Sequence, residues 1–151
     1  MRLYQGQHRA YCGVDLHART MFLCILDHDG HILLHQDIPA TKAAFLEAIA
    51  PHRDGLVVAC ECMFAWYWLA DLCAAEAIPF VLGHALAMKA IHGGKAKTDK
   101  IDAHKIAVLL RGGMIPVAYV YPKGMRETRD LLRRRTFLVR RRAVCASRLT
   151  K

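Results

Sequence analysis

Two unbroken apolar runs constrain this chain more than any other feature: GLVVACE at residues 55–61 and IPFVLG at 78–83. Neither alternates polar with apolar residues, so each suits a strand covered on both faces, the kind found between layers of helices. The segment between them, from about Met63 to Ala77, reads as a helix. A strand–helix–strand unit closes as a right-handed crossover and leaves its two strands parallel.

The residues before that unit read differently. YCGVDLHA (11–18) begins with a strand ending near Asp15, RTMFLCILD (19–27) is a second strand, DHDG (27–30) a turn and HILLHQDI (31–38) a third strand. Such closely spaced runs form an antiparallel meander. Thr41 is placed to cap a helix over KAAFLEAIAPHR, with Ala44, Phe45, Ala48 and Ile49 as its apolar stripe. After residue 83, HALAMKAIHGG is helical and stops at Gly93-Gly94. A further helix runs from Asp99 to Arg111 and ends at Gly112-Gly113, and PVAYVYP (116–122) is extended. The expected fold class is α/β: a mixed five-stranded sheet with flanking helices, its fourth and fifth strands parallel to the first.

Charge divides the chain. From Lys123 to Lys151 there are eleven Lys and Arg residues against Glu127 and Asp130, whereas the first 122 residues hold eleven basic and eleven acidic residues. The whole excess of +9 therefore lies in the terminal segment, as expected of a chain that grips a polyanion there. In that segment Leu131/Leu132, Leu138/Val139 and Cys145/Ala146 recur every seven residues, with arginines between them. This is a basic amphipathic helix with the seam of a coiled coil. The expected organisation is a folded α/β domain over residues 1–122 and a basic helix that starts a coiled coil over 123–151.

Other classes are disfavoured. The longest uncharged run, Ala77 to Met88, falls short of the roughly 18 residues that span a bilayer, and MRLYQGQHRA lacks the apolar core of a signal peptide. The expectation is a cytoplasmic protein without membrane partners. Six cysteines (12, 24, 60, 62, 73 and 145) read as small core residues, and C-x-C at 60–62 is not a zinc pair.

The carboxylates suggest chemistry. Asp15 and Glu61 end the first and fourth strands, which should be neighbours, and Asp99 and Asp102 share one helical face at i, i+3. Four converging acids repel one another unless a cation sits among them. Mg²⁺ prefers oxygen ligands, and two such ions suit phosphodiester displacement. Lys95, Lys97, Lys100 and Lys105 surround the pair on the helix and are candidate phosphate contacts, as are Arg133, Arg134, Arg135, Arg140, Arg141 and Arg142 on the terminal helix. Taken singly, each residue has a plainer reading. Asp99 suits an N-cap beside Thr98, Asp102 a first-turn charge, and Asp15 and Glu61 rim positions. His17 and His104 suit rim positions near the acids, either able to touch substrate. Alternation puts His31 and His35 on one face of their strand, without a metal-binding pattern. Trp66, Tyr67 and Trp68 suit a core better than a base-stacking platform.

Three stretches, GVDLHA (13–18), VACE (58–61) and above all GGKAKTDKIDAHKIAVLLRGG (93–113), resemble the N-terminal domain of the DEDD-type insertion-sequence transposases of the IS-one-ten family. The likeness continues through VAYVYP and RDLLRRRTFLVRRR. It implies a fold like ribonuclease H and the RuvC junction resolvase, with Asp15, Glu61, Asp99 and Asp102 as catalytic metal ligands for Mg²⁺, most readily two ions, or for Mn²⁺. It implies a site-specific DNA recombinase, with DNA and a structured guide RNA as partners and a homo-oligomer built through the terminal helix. In that family a serine-bearing second domain follows the coil. Ser147 is the sole serine here and lies in the arginine-rich helix, so the chain is expected to be a fragment. The competing expectations are a stand-alone junction-resolving nuclease and a non-catalytic nucleic-acid-binding module that dimerises through its last helix. An actin-type ATPase ranks below these for want of a second glycine-rich phosphate loop.

Overall fold

A computed structural model describes residues 2–63, 65–91 and 98–149. The chain divides into two compact units, residues 1–119 and 120–151. The first holds a five-stranded sheet made of β1 (Ala10–Leu16), β2 (Thr20–Asp27), β3 (Ile32–Pro39), β4 (Leu56–Glu61) and β5 (Phe80–Gly83), in the order β3-β2-β1-β4-β5. The meander is antiparallel, while β4 pairs parallel to β1 and β5 parallel to β4. This mixed α/β sheet, with its long C-terminal helix, is the architecture expected of a ribonuclease H-like fold.

Helices α1 (Lys42–Ile49) and α2 (Trp66–Ala75) cover one face. Phe45, Ile49, Trp66, Leu69 and Cys73 pack there against Cys12, Val14, Val58, Cys60 and Leu82. Helix α4 (Asp99–Arg111) covers the other, packing Ile106, Leu109 and Leu110 against Tyr11, Val57, Ala59 and Val81. Each buried strand thus sends alternate side chains into two apolar layers, which is why its sequence shows no polar alternation. Helix α3 (Ala85–Ile91) follows β5 and contributes Met88 to the α4 layer.

Three expected boundaries move. Helix α1 stops at Ile49 and continues as a 3₁₀ turn over Ala50–His52, because Pro51 has no N–H for the α ladder. Helix α2 starts at Trp66 rather than near Met63. The backbone before it is already engaged: Cys62 N donates to Gly83 O at 2.9 Å and Met63 N to Glu61 O at 2.8 Å. The extended 116–122 segment makes isolated bridges rather than a strand, with Val117 opposite Gly83 and Pro116 opposite Leu3. The Gly93-Gly94 stop lies outside the described residues. Cys12, Cys24, Cys60 and Cys73 are buried as expected, whereas Cys62 is half-buried and Cys145 is exposed.

The second unit contains α5 (Lys123–Leu149), a helix with no buried residue. Arg126 Nε donates to Tyr121 O at 2.9 Å, and the Arg129 guanidinium lies 5.1 Å from the Tyr121 ring centroid. These interactions fold the chain before the helix back onto its first turns. Among the described residues, no helix is long and apolar enough to cross a membrane.

Candidate metal centre

The pairing of β1 with β4 runs as far as Val14 opposite Cys60. Asp15 and Glu61 are the next residues on each strand. Val14 and Cys60 point into the layer of α1 and α2, so alternation turns Asp15 and Glu61 toward the face that carries α4. Asp15 and Glu61 therefore follow directly on the last paired residues of two neighbouring strands. Both are half-buried at the strand ends.

Gly13 sets the position of α4 above them. A Cβ at Gly13 would lie 2.3 Å from the Ala103 carbonyl oxygen and 2.4 Å from the Ala107 nitrogen. The helix backbone therefore rests directly on the strand backbone, and only glycine permits that approach. Gly13 and Asp15 share a face of β1, so the turn of α4 that precedes Ala103 overhangs Asp15.

That turn begins at Thr98, whose extended backbone (φ −143°) and hydroxyl cap the helix by accepting from Ile101 N at 3.3 Å. Asp99, whose plainer reading is an N-cap, is instead the first residue of the helix, because Thr98 takes the cap. Asp102 follows one turn later, its backbone N donating to Thr98 O at 2.9 Å.

His17 joins strand to helix. Its backbone N donates to Thr20 O at 3.0 Å in the β1–β2 turn. Its Nε2 lies 3.3 Å from Asp15 Oδ2 and 3.5 Å from Asp99 Oδ1. One donor atom from each of Asp15, His17 and Asp99 falls within 4.8 Å of the other two. Burial pushes the Asp15 carboxyl above its ordinary pKa; His17 opposes this, and the negative charges of Asp99 and Asp102 add to it. Three of the four expected acids thus act on one another electrostatically, while the close cluster holds Asp15, His17 and Asp99 and includes neither Asp102 nor Glu61. The donor set, hard carboxylate oxygens with one imidazole nitrogen, suits a divalent cation.

The basic residues divide. Lys95 and Lys97 lie outside the described residues. Lys100 is exposed, and its carbonyl is held by His35 Nε2 at 3.0 Å. Lys105 turns inward, its Nζ 3.3 Å from Asp102 Oδ1. Arg133, Arg134, Arg135, Arg140, Arg141 and Arg142 are all exposed along α5.

Other candidates resolve into structure. Trp66 is 1% exposed and belongs to the core, with Tyr67 and Trp68 packed against it. The His104 ring lies tilted beside that of His35, centroids 6.0 Å apart, and its pKa is lowered first by burial and then by that neighbour. Asp27, Asp29 and His31 also cluster, but Asp27 Oδ1 accepts from Gly30 N at 2.7 Å and His31 N at 2.8 Å, which is the fastening of a hairpin turn. His17 stands closer to the acids than a rim position implies. Its signal in the sequence is the spacing: two residues after Asp15, alternation returns it to the same face.

No curated protein gives a significant match to the chain. The family model for DEDD transposases of the IS110 type, described as Transposase, matches residues 12–151. That span takes in β1 with Asp15, β4 with Glu61, the acid-bearing start of α4 and all of α5, and by it the chain belongs to the IS110-type DEDD transposases.

Proposed function

We propose that Asp15, Glu61, Asp99 and Asp102 form a divalent-metal site for phosphodiester chemistry on DNA, with Mg²⁺ as the working ion, two ions per site, and Mn²⁺ as a substitute. The observation that carries this reading is the approach of Asp99, on α4, and Asp15, on β1, to one nitrogen of His17. Burial and the negative charges of Asp99 and Asp102 all disfavour the ionised form of Asp15, and a divalent cation among these acids relieves that crowding. When bound, such ions stabilise the attacking and leaving oxygens of an in-line displacement.

The chain's own residues supply position and charge. Gly13 lets α4 sit low enough for Asp99 to reach the strand acids. Lys105 forms an ion pair with Asp102, and Lys100 stands exposed one residue after Asp99 to meet a phosphate. The arginines of α5 hold the nucleic-acid backbone, both of the DNA and of a structured guide RNA. Its apolar positions, with Leu131 70% exposed and Leu138 56% exposed, form the seam of a homo-oligomer. Ser147 is not placed as a nucleophile in this reading, because its Oγ donates to Ala143 O at 3.0 Å within α5.

Titration calorimetry of the chain with Mg²⁺ and Mn²⁺ tests the site. Asp102→Ala should bind at least about tenfold more weakly than wild type, the scale on which removal of a metal-site partner acts. Equal affinity in the two proteins would remove the metal site. Nucleic-acid binding that falls steeply with salt yet ignores all four acids would favour a non-catalytic binding module.

A further inference from the structure

Nothing in a set of four carboxylates requires a histidine, yet His17 lies within 3.5 Å of two of them. The β1–β2 turn fixes its backbone, and strand alternation sends its ring to the Asp15 face. Its Nε2 stands 3.3 Å from one carboxylate oxygen and 3.5 Å from the other. Nε2 is hydrogen-bonded to Asp15 and within ion-pair distance of Asp99, so two carboxylates from different elements meet at one ring nitrogen. One donor atom from each of Asp15, His17 and Asp99 lies within 4.8 Å of the other two, a grouping that one ion can gather. Atoms bound at right angles around an ion with bonds of about 2.1 Å lie about 3 Å apart. The ring is half-exposed, so water and ions reach it.

We propose that His17 Nε2 is itself a ligand to the ion held by Asp15 and Asp99, giving that position a mixed nitrogen and oxygen donor set that favours Mn²⁺ over Mg²⁺ relative to carboxylates alone. This rests on the reading of the acids as metal ligands and adds one residue and a preference to it. Mg²⁺ is a hard ion that holds oxygen and water, so an imidazole contributes little to its binding. Imidazole is a good ligand for first-row transition ions, and Mn²⁺ accepts it beside carboxylates. An imidazole binds a metal through the ring nitrogen that carries no proton, and Nε2 is the ring nitrogen beside both acids.

Variants of the full chain, His17→Ala, His17→Gln, His104→Ala and Asp99→Asn, separate the outcomes. Pulsed electron paramagnetic resonance of Mn²⁺-loaded wild type should show nitrogen coupling from a bound imidazole. The coupling should vanish in His17→Ala and in His17→Gln, which keeps a hydrogen-bonding group, and persist in His104→Ala. Mn²⁺ affinity should fall about tenfold or more in His17→Ala while Mg²⁺ affinity changes by less than about threefold. Circular dichroism checks that each variant is folded. Bound Mn²⁺ without nitrogen coupling in wild type, or equal loss of both ions in His17→Ala, overturns the role of His17 and leaves the acids standing. Mn²⁺ binding that Asp99→Asn leaves unchanged overturns the acid site and the proposal with it.

Discussion

The two units of this chain are built on opposite terms. In residues 1–119 every strand and most helices turn apolar side chains inward, and Leu23, Ile25, Phe45, Val58, Leu69, Leu82 and Leu110 are wholly buried. In α5 no residue is buried, and Leu131, Leu132, Phe137, Leu138 and Val144 are all at least half exposed. The charges differ as sharply: balanced before Lys123, and strongly positive after it. A helix that buries nothing within its own unit gains little from tertiary packing, the usual main source of helix stability. The first unit has the packing to hold its elements rigid, whereas the second leaves its charge and its apolar seam exposed.

The sharpest break in that comparison is at Gly13. Gly13→Ala puts a methyl group into the Ala103 carbonyl and the Ala107 nitrogen, atoms of helix backbone that cannot swing aside as a side chain can. Urea unfolding should show a loss of about 3 kcal/mol, the upper range for overpacking. A loss below about 0.5 kcal/mol, the ordinary surface range, would mean that α4 does not rest on β1 as described.

Replacing Arg133, Arg134 and Arg135 with Gln should behave in the opposite way. Stability of the first unit should move by no more than about 0.5 kcal/mol. The slope of log affinity for duplex DNA against log salt should flatten by about 2.7, at about 0.9 for each phosphate that an arginine no longer neutralises. An unchanged slope would remove these arginines from the nucleic-acid interface.

The smallest effect is expected at Asp15, and its sign differs from an ordinary core change. Burial raises the carboxyl pKa above the usual 3.8 in the folded chain. Between that value and the raised one, the folded state holds the proton more tightly than the unfolded state. Stability therefore falls as pH rises through the window and stays lower above it. With metal chelated, Asp15→Asn should be slightly more stable than wild type at neutral pH. The difference should vanish on acidification below the ordinary carboxylate range. A variant equal to or weaker than wild type at neutral pH would show that Asp15 carries no desolvation cost.

Much of this is legible in the sequence because the governing signals are local. The unbroken runs at 55–61 and 78–83 announce buried parallel strands, and the i, i+3 spacing of Asp99 and Asp102 puts both on one helical face. The strand-end positions of Asp15 and Glu61 follow from the order of elements. What stays hidden depends on the meeting of distant residues. Gly13 reads as one glycine in a strand until Ala103 and Ala107 arrive over it. Thr98 and Asp99 are both good caps, and the chain geometry decides between them. The sequence offers Lys105 to phosphate, but one turn of helix carries it to Asp102. Pro51 does signal an early end to α1, since proline in a last turn forfeits an α-helical bond.

The close approach beneath α4 has a wider consequence. Where two main chains touch without an intervening side chain, their separation is a gauge set by atomic radii. Exchanging Leu for Ile or Val elsewhere in the interior leaves that gauge untouched, so the reach from strand to helix is insulated from ordinary sequence drift. The precision of the centre is thereby entrusted to a single hydrogen atom on one α-carbon.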